Sequence, residues 1–138
     1  MTDAAPKLRL IEALAFERPV KLRLPFRFGV VTLREAPQLF VRVRIRMADG
    51  REGEGVSAEL LVPKWFDKSP GLSNEDNFNQ LRRSVAIAVR HITGAGEQTA
   101  FGITAVANAG HRAECSAAGL NGLVASFGTA LIERALID

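Results

Sequence analysis

Two histidines and one cysteine are the side chains in this 138-residue sequence best suited to catalysis: His91, His111 and Cys115. His111 and Cys115 are four residues apart, so on a helix they would share a face and could act as base and nucleophile. No third residue stands at a spacing that would orient the imidazole, and neither histidine has a spacing partner for a metal site. We therefore expect a small half-buried thiol, two structural or surface histidines, and no catalytic or metal-binding residue in this chain.

A second candidate for chemistry is the segment Gly53-Glu54-Gly55, which superficially resembles a phosphate-binding loop. It lacks the G-x-G-x-x-G spacing and follows a predicted hairpin instead of opening a helix, so a dinucleotide site is excluded. Its glycines are better explained by a β-bulge or a close backbone approach. Glu54 and Glu59 could serve as acid/base carboxylates, but exposed carboxylates on a strand are the commoner case.

Arginine occupies every second position in the segment LFVRVRIRM, as Arg42, Arg44 and Arg46. Such a row can contact nucleic-acid phosphates, and residues 1–51 hold eleven Lys and Arg against five Asp and Glu. Base stacking has little support, because the sequence contains no Tyr and this strand offers only Phe40. The pattern therefore favours the solvent face of a sheet, with Glu52 and Glu54 opposite the arginines and no nucleic-acid partner.

The first half of the chain predicts β-structure. Apolar residues alternate with polar ones over residues 39–47, which indicates a half-buried strand. Asp49-Gly50 then predicts a two-residue type I′ turn, with positive φ at both positions and a return strand from about residue 53 to 61. Residues 7–24 predict an earlier strand interrupted near Pro19. Residues 25–37 contain two prolines and a glycine, so we predict a loop there.

The second half predicts helices. An apolar stripe at helical spacing indicates a helix over residues 74–92, with Ser73 and Asp76 as its N-terminal capping pair. A second helix is expected over residues 98–108, broken near Gly110, and a third after Gly119. The predicted fold class is therefore α+β: a three-stranded antiparallel sheet (β-meander) over residues of about 7–61, followed by a helical bundle over about 74–138, in a single domain of residues 1–138.

Composition restricts the compartment and the kind of partner. The chain is 47% hydrophobic and 24% charged with a net charge of +3, which is ordinary for a globular domain. No apolar run approaches the ~20 residues of a membrane span, and charges interrupt any signal-peptide core at the N-terminus. A single cysteine excludes an internal disulfide. We expect a cytoplasmic protein without a membrane partner.

Two clusters of apolar residues fall in the predicted irregular segments: Phe26, Phe28, Val30 and Val31 in the first, and Trp65 and Phe66 in the second. Both clusters could pack against the helical layer. Alternatively, they could form the apolar wall of a ligand site that another domain completes.

The order of these segments resembles the N-terminal capping domain of the enolase superfamily, in its mandelate racemase and muconate lactonizing enzyme branch. Three stretches carry the resemblance: PFRFG at 25–29, VRVRIRMADGREGEG at 41–55 and ALIERALID at 130–138. The resemblance implies an enolase N-terminal-domain-like fold that precedes a (β/α) barrel. In the family the barrel holds Mg²⁺ and abstracts a proton next to a carboxylate, in racemases, dehydratases and cycloisomerases.

The resemblance also implies which residues of this chain would contact a substrate, because the family's cap closes over the barrel mouth with two loops. The first loop is residues 25–37, and the second follows Gly55. The substrate-binding candidates are Phe26, Phe28, Val30, Thr32, Val56, Ser57 and Trp65. The family commonly has G-x-G-E, whereas Val56 stands at the Glu position here. The implied partners are the C-terminal barrel domain of the same protein, a small carboxylate substrate and, as a possibility left open, a second copy of the chain.

The apolar pattern of the last helix continues to Asp138 without a terminating Gly, Pro or basic cap. We therefore expect the catalytic barrel to lie outside this sequence, in a longer protein, with Mg²⁺ bound there and not here. The alternative is a free-standing module that binds nucleic acid through the basic strand or protein through the exposed apolar loops.

Overall fold

The structure, a computed structural model, describes residues 4–138; the first three residues of the predicted domain lie outside this range. Three strands precede three helices, in the order β1 (Leu8–Phe28), β2 (Val31–Met47), β3 (Glu52–Leu60), α1 (Asn74–Gly94), α2 (Ala100–Ala117) and α3 (Gly122–Ile137). The strands form one antiparallel sheet in the order β1-β2-β3. The predicted α+β class, with a meander followed by helices, is confirmed.

The two faces of the sheet differ as the alternation in β2 predicts. Leu39, Val41 and Val43 are buried against the helices, and the arginines between them lie on the opposite face. This opposite face is called the outer face below. The helices cover one side of the sheet only, so a single core lies between the sheet and the bundle.

The prediction of a loop over residues 25–37 is wrong. β1 and β2 continue through this segment as a long hairpin, which turns at Gly29-Val30 between the paired residues Phe28 and Val31. Gly29 has φ +52° and Val30 does not have a positive φ, which is the signature of a two-residue turn with glycine at its first central position. The last pairs of this hairpin form its tip, 26–33.

Pro37, which suggested a loop, and Pro19, which suggested an interruption of the first strand, both lie within paired strands. Pro19 lies in β1, an edge strand, and β1 runs through it without a break. Pro37 lies opposite Pro19 in β2, one residue beyond Gln38, which forms the last pair with β3. The ladder between β2 and β3 ends at Gln38, and the Pro37 carbonyl accepts one further bond from the N–H of Leu61 at 2.9 Å. The missing N–H of Pro37 therefore breaks no pair of that ladder.

The turn between β2 and β3 is at the predicted place but is not of type I′. Gly50 has φ +89°, whereas Asp49 does not have a positive φ. The N–H of Gly50 donates to the carbonyl of Met47 at 2.9 Å. This is the pattern of a three-residue loop ending in a glycine bulge, in which only the glycine needs the left-handed region.

The helix predictions are correct in number and differ in length. α1 begins with the predicted cap: Ser73 Oγ accepts from the N–H of Asp76, and the Asp76 carboxylate accepts from the N–H of Ser73. Those hydrogen bonds, above all the one from the Ser73 backbone, hold the pKa of Asp76 below its ordinary value. α2 runs to Ala117 and is not broken at Gly110. The glycine makes room for a neighbouring helix, because a Cβ there would lie 2.9 Å from the His91 ring. Among the described residues, none of the three helices combines the length and apolar character needed to cross a bilayer.

Candidate ligand-binding cleft

A cleft of about 810 Å³ lies between the hairpin tip and the segment 61–73 that links the sheet to α1. It is called the tip cleft below. Its lining consists of Phe28, Gly29, Val30, Val31, Lys64, Trp65, Lys68, Pro70 and Asn74. The volume lies in the range of small-molecule sites in proteins.

Aromatic side chains from the two walls of the tip cleft contact each other. The Phe28 and Trp65 rings meet edge to face with centroids 5.1 Å apart, and Phe26 lies 5.8 Å from Phe28. Such pairs contribute about 0.5–1.5 kcal/mol beyond their buried area. Trp65 nevertheless remains 52% exposed, and Val30 is 99% exposed at the turn. The hairpin tip therefore presents apolar surface to solvent instead of burying it.

The two aromatic residues after Pro63 have different roles. Trp65 faces the tip cleft and also borders a second hollow of about 560 Å³, on the Phe26 side. Phe66 packs edge to face on Phe127 of α3, with centroids 5.1 Å apart. Both alternatives for this apolar cluster therefore occur: Phe66 packs against the helices, and Trp65 forms part of the cleft wall.

Hydrogen bonds to α1 hold the segment 61–73 in place. Lys64 has φ +62°, and its backbone N–H donates to Oδ1 of the buried Asn77 at 3.1 Å. The Lys64 ammonium donates to the carbonyls of Ser69 and Leu72. Asp67 accepts from Ser69 and from the Gln80 amide, and these bonds, with that of the Ser69 hydroxyl foremost, lower the pKa of Asp67. The wall that carries Trp65 is therefore preorganised.

Replacing Asn77 with alanine is expected to destabilise the protein by about 1–2 kcal/mol, because the Lys64 N–H loses its acceptor. The matched control is Asn108→Ala, at an exposed position of α2, which should be neutral or slightly stabilising since alanine is the better helix former. Equilibrium urea unfolding measures both changes. Equal stability of the two variants would mean that Asn77 does not fix the segment.

The cationic groups of the tip cleft are Lys64 and Lys68. Lys64 is engaged with two carbonyls, whereas Lys68 is exposed at the rim and forms no ion pair within residues 4–138. Sequence reasoning missed both lysines. The available signal was the run Pro63 to Gly71, whose chain breaks mark a loop next to the predicted Trp65.

Four of the seven predicted substrate-binding residues lie together: Phe28, Val30 and Trp65 line the tip cleft, and Phe26 lies beside them. Thr32 is exposed on β2 opposite Arg27 and is not part of the lining. Three of the four candidates predicted in the first loop therefore lie next to Trp65.

Val56 and Ser57 do not belong to this cleft, and the prediction of a loop directly after Gly55 is wrong. Both residues lie within β3, where Val56 is on the outer face and Ser57 is buried with its hydroxyl donating to the Leu131 carbonyl. Gly55 is buried under α3: a Cβ there would lie 2.0 Å from the Ala135 carbonyl oxygen. Gly55 therefore permits a close backbone approach, one of the two explanations the sequence left open.

The His111–Cys115 pair is buried inside the helical bundle. Both side chains have 0% exposure, and Cys115 Sγ lies 3.4 Å from His111 Nε2, which donates to the Ser84 carbonyl at 3.3 Å. Burial raises the pKa of the Cys115 thiol and lowers that of His111. A thiol held neutral and away from solvent is a poor nucleophile. The thiol is fully buried instead of half-buried, and His111 has the structural role that the sequence favours.

The arginine row has acidic and aromatic neighbours on the outer face. Arg46 pairs with Glu52 at 2.7 Å, and this hydrogen bond lowers the pKa of Glu52. Arg44 lies 3.8 Å from Glu12 and opposite Glu54 in the strand register. The Arg42 guanidinium lies over the Phe16 ring, 5.6 Å from its centroid. The predicted positions of Glu52 and Glu54 across from the row are confirmed.

The fold and the tip cleft define an α+β domain with an apolar, aromatic-walled site at one end of its sheet. Among residues 4–138, no group of three or more His, Cys, Asp and Glu side chains is arranged to hold a metal ion. No protein-family model, curated protein or solved structure matches the chain.

Proposed function

We propose that this chain is the substrate-specificity cap of a Mg²⁺-dependent enzyme of the enolase superfamily, in the mandelate racemase and muconate lactonizing enzyme branch. The reaction is abstraction of a proton next to a carboxylate, as in racemases, dehydratases and cycloisomerases. A C-terminal barrel domain of the same protein supplies the acid/base residues and holds Mg²⁺. The cap supplies the part of the site that contacts the remainder of the substrate.

The observation that carries this proposal is the tip cleft. Its apolar wall extends from the hairpin tip, where Val30 is 99% exposed and Trp65 half exposed. Large apolar side chains concentrated at one end of a domain are typical of a surface that another body covers. Three antiparallel strands followed by three helices also fit the order that the quoted motifs imply.

The residues of the tip cleft have two tasks in this proposal. Phe28, Val30 and Trp65 exclude water from the reacting end of the substrate, which strengthens electrostatic interactions there. They also distinguish substrates by the shape of the part that they contact. The described carboxylates of the chain do not form a metal site, so we derive no step of the chemistry through Mg²⁺ from these residues.

The test uses the protein from its native source, with Val30→Ser as the variant. Val30 is exposed at a turn, so the fold should tolerate serine, whereas the loss of an apolar contact to substrate should lower kcat/KM about tenfold. Val56→Ser is the matched control, since Val56 is an exposed valine on the outer face of β3. The Mg²⁺ concentration for half-maximal proton exchange should remain unchanged in both variants.

Two results would overturn the proposal. One is a native protein with an intact mass of 14.9 kDa that carries no barrel and shows no Mg²⁺-dependent exchange of a carboxylate's α-proton. The other is an equal effect of the Val30 and Val56 substitutions on kcat/KM, because the outer face has no access to the tip cleft.

A binding module is the second candidate function, and the outer face is the observation that favours it. Phe16 is 48% exposed there and Val56 47% exposed, beside Arg42. Nucleic-acid binding through this face would weaken steeply with salt. Fluorescence anisotropy with labelled single-stranded RNA between 50 and 200 mM salt, a range over which about 10³-fold or more is lost when many phosphates are contacted, tests this alternative.

A further inference from the structure

We propose that the tip cleft selects a small organic acid that carries an aromatic ring or a compact apolar group, and rejects acids whose remaining carbons bear hydroxyl groups. This inference rests on the proposed function and specifies its substrate class. Its basis is the chemistry of the cleft wall, the position of the polar groups, and the size of the space.

The wall of the tip cleft offers apolar contact and few hydrogen-bonding partners. Phe28, Val30, Val31, Trp65 and Pro70 provide its apolar side chains. The hydroxyl groups of a substrate placed here would lose their hydrogen bonds to water and find no partners in the wall, which costs free energy. A ring or branched alkyl group loses nothing on leaving water and gains contact with both walls.

The polar side chains of the lining do not offset this preference. The Lys64 ammonium already donates to the carbonyls of Ser69 and Leu72, and its backbone N–H to Asn77. Lys68 is the remaining cation and Asn74 the one further polar side chain of the lining, and both are exposed at the rim of the cleft. A positive charge at the rim attracts an anion without supplying the several fixed donors and acceptors that recognition of a polyol requires.

The space is large enough to take one ring, and the aromatic wall offers that ring a contact. The cleft measures about 810 Å³ and is partly open to solvent, so a single-ring acid occupies only the part next to the wall. Trp65 and Phe28 meet edge to face at 5.1 Å, an arrangement that leaves a ring face of one residue available to a third ring. The hydrogen bonds that fix the segment 61–73 lower the ordering cost of such binding.

The chain contains a natural reporter at the site, since Trp65 is its only tryptophan. Its indole N–H gives one resolved signal in a ¹⁵N-correlated NMR spectrum of the 138-residue chain. Three probes are titrated: 3-phenylpropanoate, which has the ring and the charge; 3-phenylpropanamide, which has the ring alone; and gluconate, which has the charge with hydroxyl groups. Neither the barrel nor Mg²⁺ takes part in this measurement.

We expect 3-phenylpropanoate to shift the Trp65 signal with a dissociation constant of about 1–10 mM, as suits one ring in an open cleft. The amide should bind about two- to fivefold more weakly because it lacks the charge attracted by Lys68. Gluconate should cause no saturable shift. Val30→Ser should weaken binding of both ring compounds about threefold or more, and Val56→Ser should leave both unchanged.

Lys68→Gln separates the two contributions: it should bring the affinity for 3-phenylpropanoate down to that for the amide and leave the amide unaffected. Binding of gluconate as tight as that of 3-phenylpropanoate, or no shift with either ring compound at tens of millimolar, overturns the inference. The outcomes are distinct from those of the proposed function. Ring binding without Mg²⁺-dependent proton exchange refutes the enzyme and retains the site, and exchange with hydroxylated acids alone refutes only the selectivity.

Discussion

Gly55→Ala is expected to destabilise the protein by about 3–5 kcal/mol, a loss in the exceptional range for one substitution. The added Cβ would lie 2.0 Å from the carbonyl oxygen of Ala135 and 3.2 Å from its carbon. The obstacle is backbone and not a flexible side chain, so the clash cannot be relieved by a rotamer change. Either α3 moves away from β3 or the strand bends.

Neither movement is cheap, because several bonds fix α3 against β3. The Ser57 hydroxyl donates to the Leu131 carbonyl, and the Arg134 guanidinium donates to the Ala58 carbonyl at 3.0 Å. The Val56 N–H donates to the Asp138 carboxylate at 3.1 Å. Displacing the helix would strain these bonds and open space in the core, which is costly because protein interiors are close-packed.

The matched control is Gly53→Ala, two residues earlier in the same strand. Its Cβ would meet nothing closer than Ile45 Cγ1 at 3.8 Å, an ordinary contact, so we expect a change within about 1 kcal/mol, in the stabilising direction since glycine weakens a strand. Equilibrium guanidinium unfolding followed by circular dichroism measures both variants. If Gly55→Ala costs no more than Gly53→Ala, the close packing of α3 on β3 is refuted.

Local rules predicted the elements in which each residue's environment repeats regularly. The alternation at Leu39, Val41 and Val43 specifies which face of β2 is buried, and no distant contact competes with it. The Ser73 cap is likewise a local device, complete within four residues. The fold class followed from such features, and the helix count did as well.

Local rules failed where glycine and proline serve a distant contact. Gly110 was expected to break α2, but it makes room for the His91 ring of another helix. Pro37 was expected in a loop, but it lies in β2 where β3 has ended. Gly55 was expected to open a loop, but it lies under α3. A single sequence shows these residues without showing what approaches them.

The candidate site was half predictable for the same reason. Phe28 and Val30 stood out as apolar residues near turn signals, and Trp65 as one beyond Pro63, although nothing in the sequence shows that the two segments meet. Lys64 and Lys68 were not predicted as site residues, because lysines are common in loops of every kind. Val56 was assigned by analogy of position, and the strand continues through it.

The second large effect concerns His111, whose environment opposes a positive charge. The side chain is fully buried, and burial is the main reason that its pKa is lowered in the folded protein. Its Nε2 donates to the Ser84 carbonyl, which favours the charged form and only partly offsets burial. Nδ1 has no hydrogen-bond partner among residues 4–138. A proton added there would create a buried donor without an acceptor.

The direction of the pH effect follows from this shift. The unfolded chain binds a proton at His111 near the ordinary pKa of 6.5, whereas the folded protein resists it. The contribution of neutral His111 to stability is therefore fully present above pH 6.5 and is lost as the pH falls toward the lowered folded value. The limiting slope is about 1.4 kcal/mol per pH unit, so a fall of about 2 kcal/mol is the upper expectation between pH 6.5 and 5.

Carboxylates with lowered pKa values, such as Glu52 and Glu114, act in a different window. Their stabilisation is present above their ordinary pKa of 4.5 and is lost only at lower pH.

Urea unfolding at intervals from pH 7.5 to 5.0 therefore isolates the contribution of the histidines. His111→Gln should remove the slope, since glutamine does not titrate. His91→Gln should retain most of it, because burial, the main cause of the lowered pKa of His111, does not depend on the His91 side chain. The opposite result would be a slope that is absent in His91→Gln and present in His111→Gln. It would assign the pH dependence to His91 and Glu114 and would mean that burial of His111 has no thermodynamic consequence.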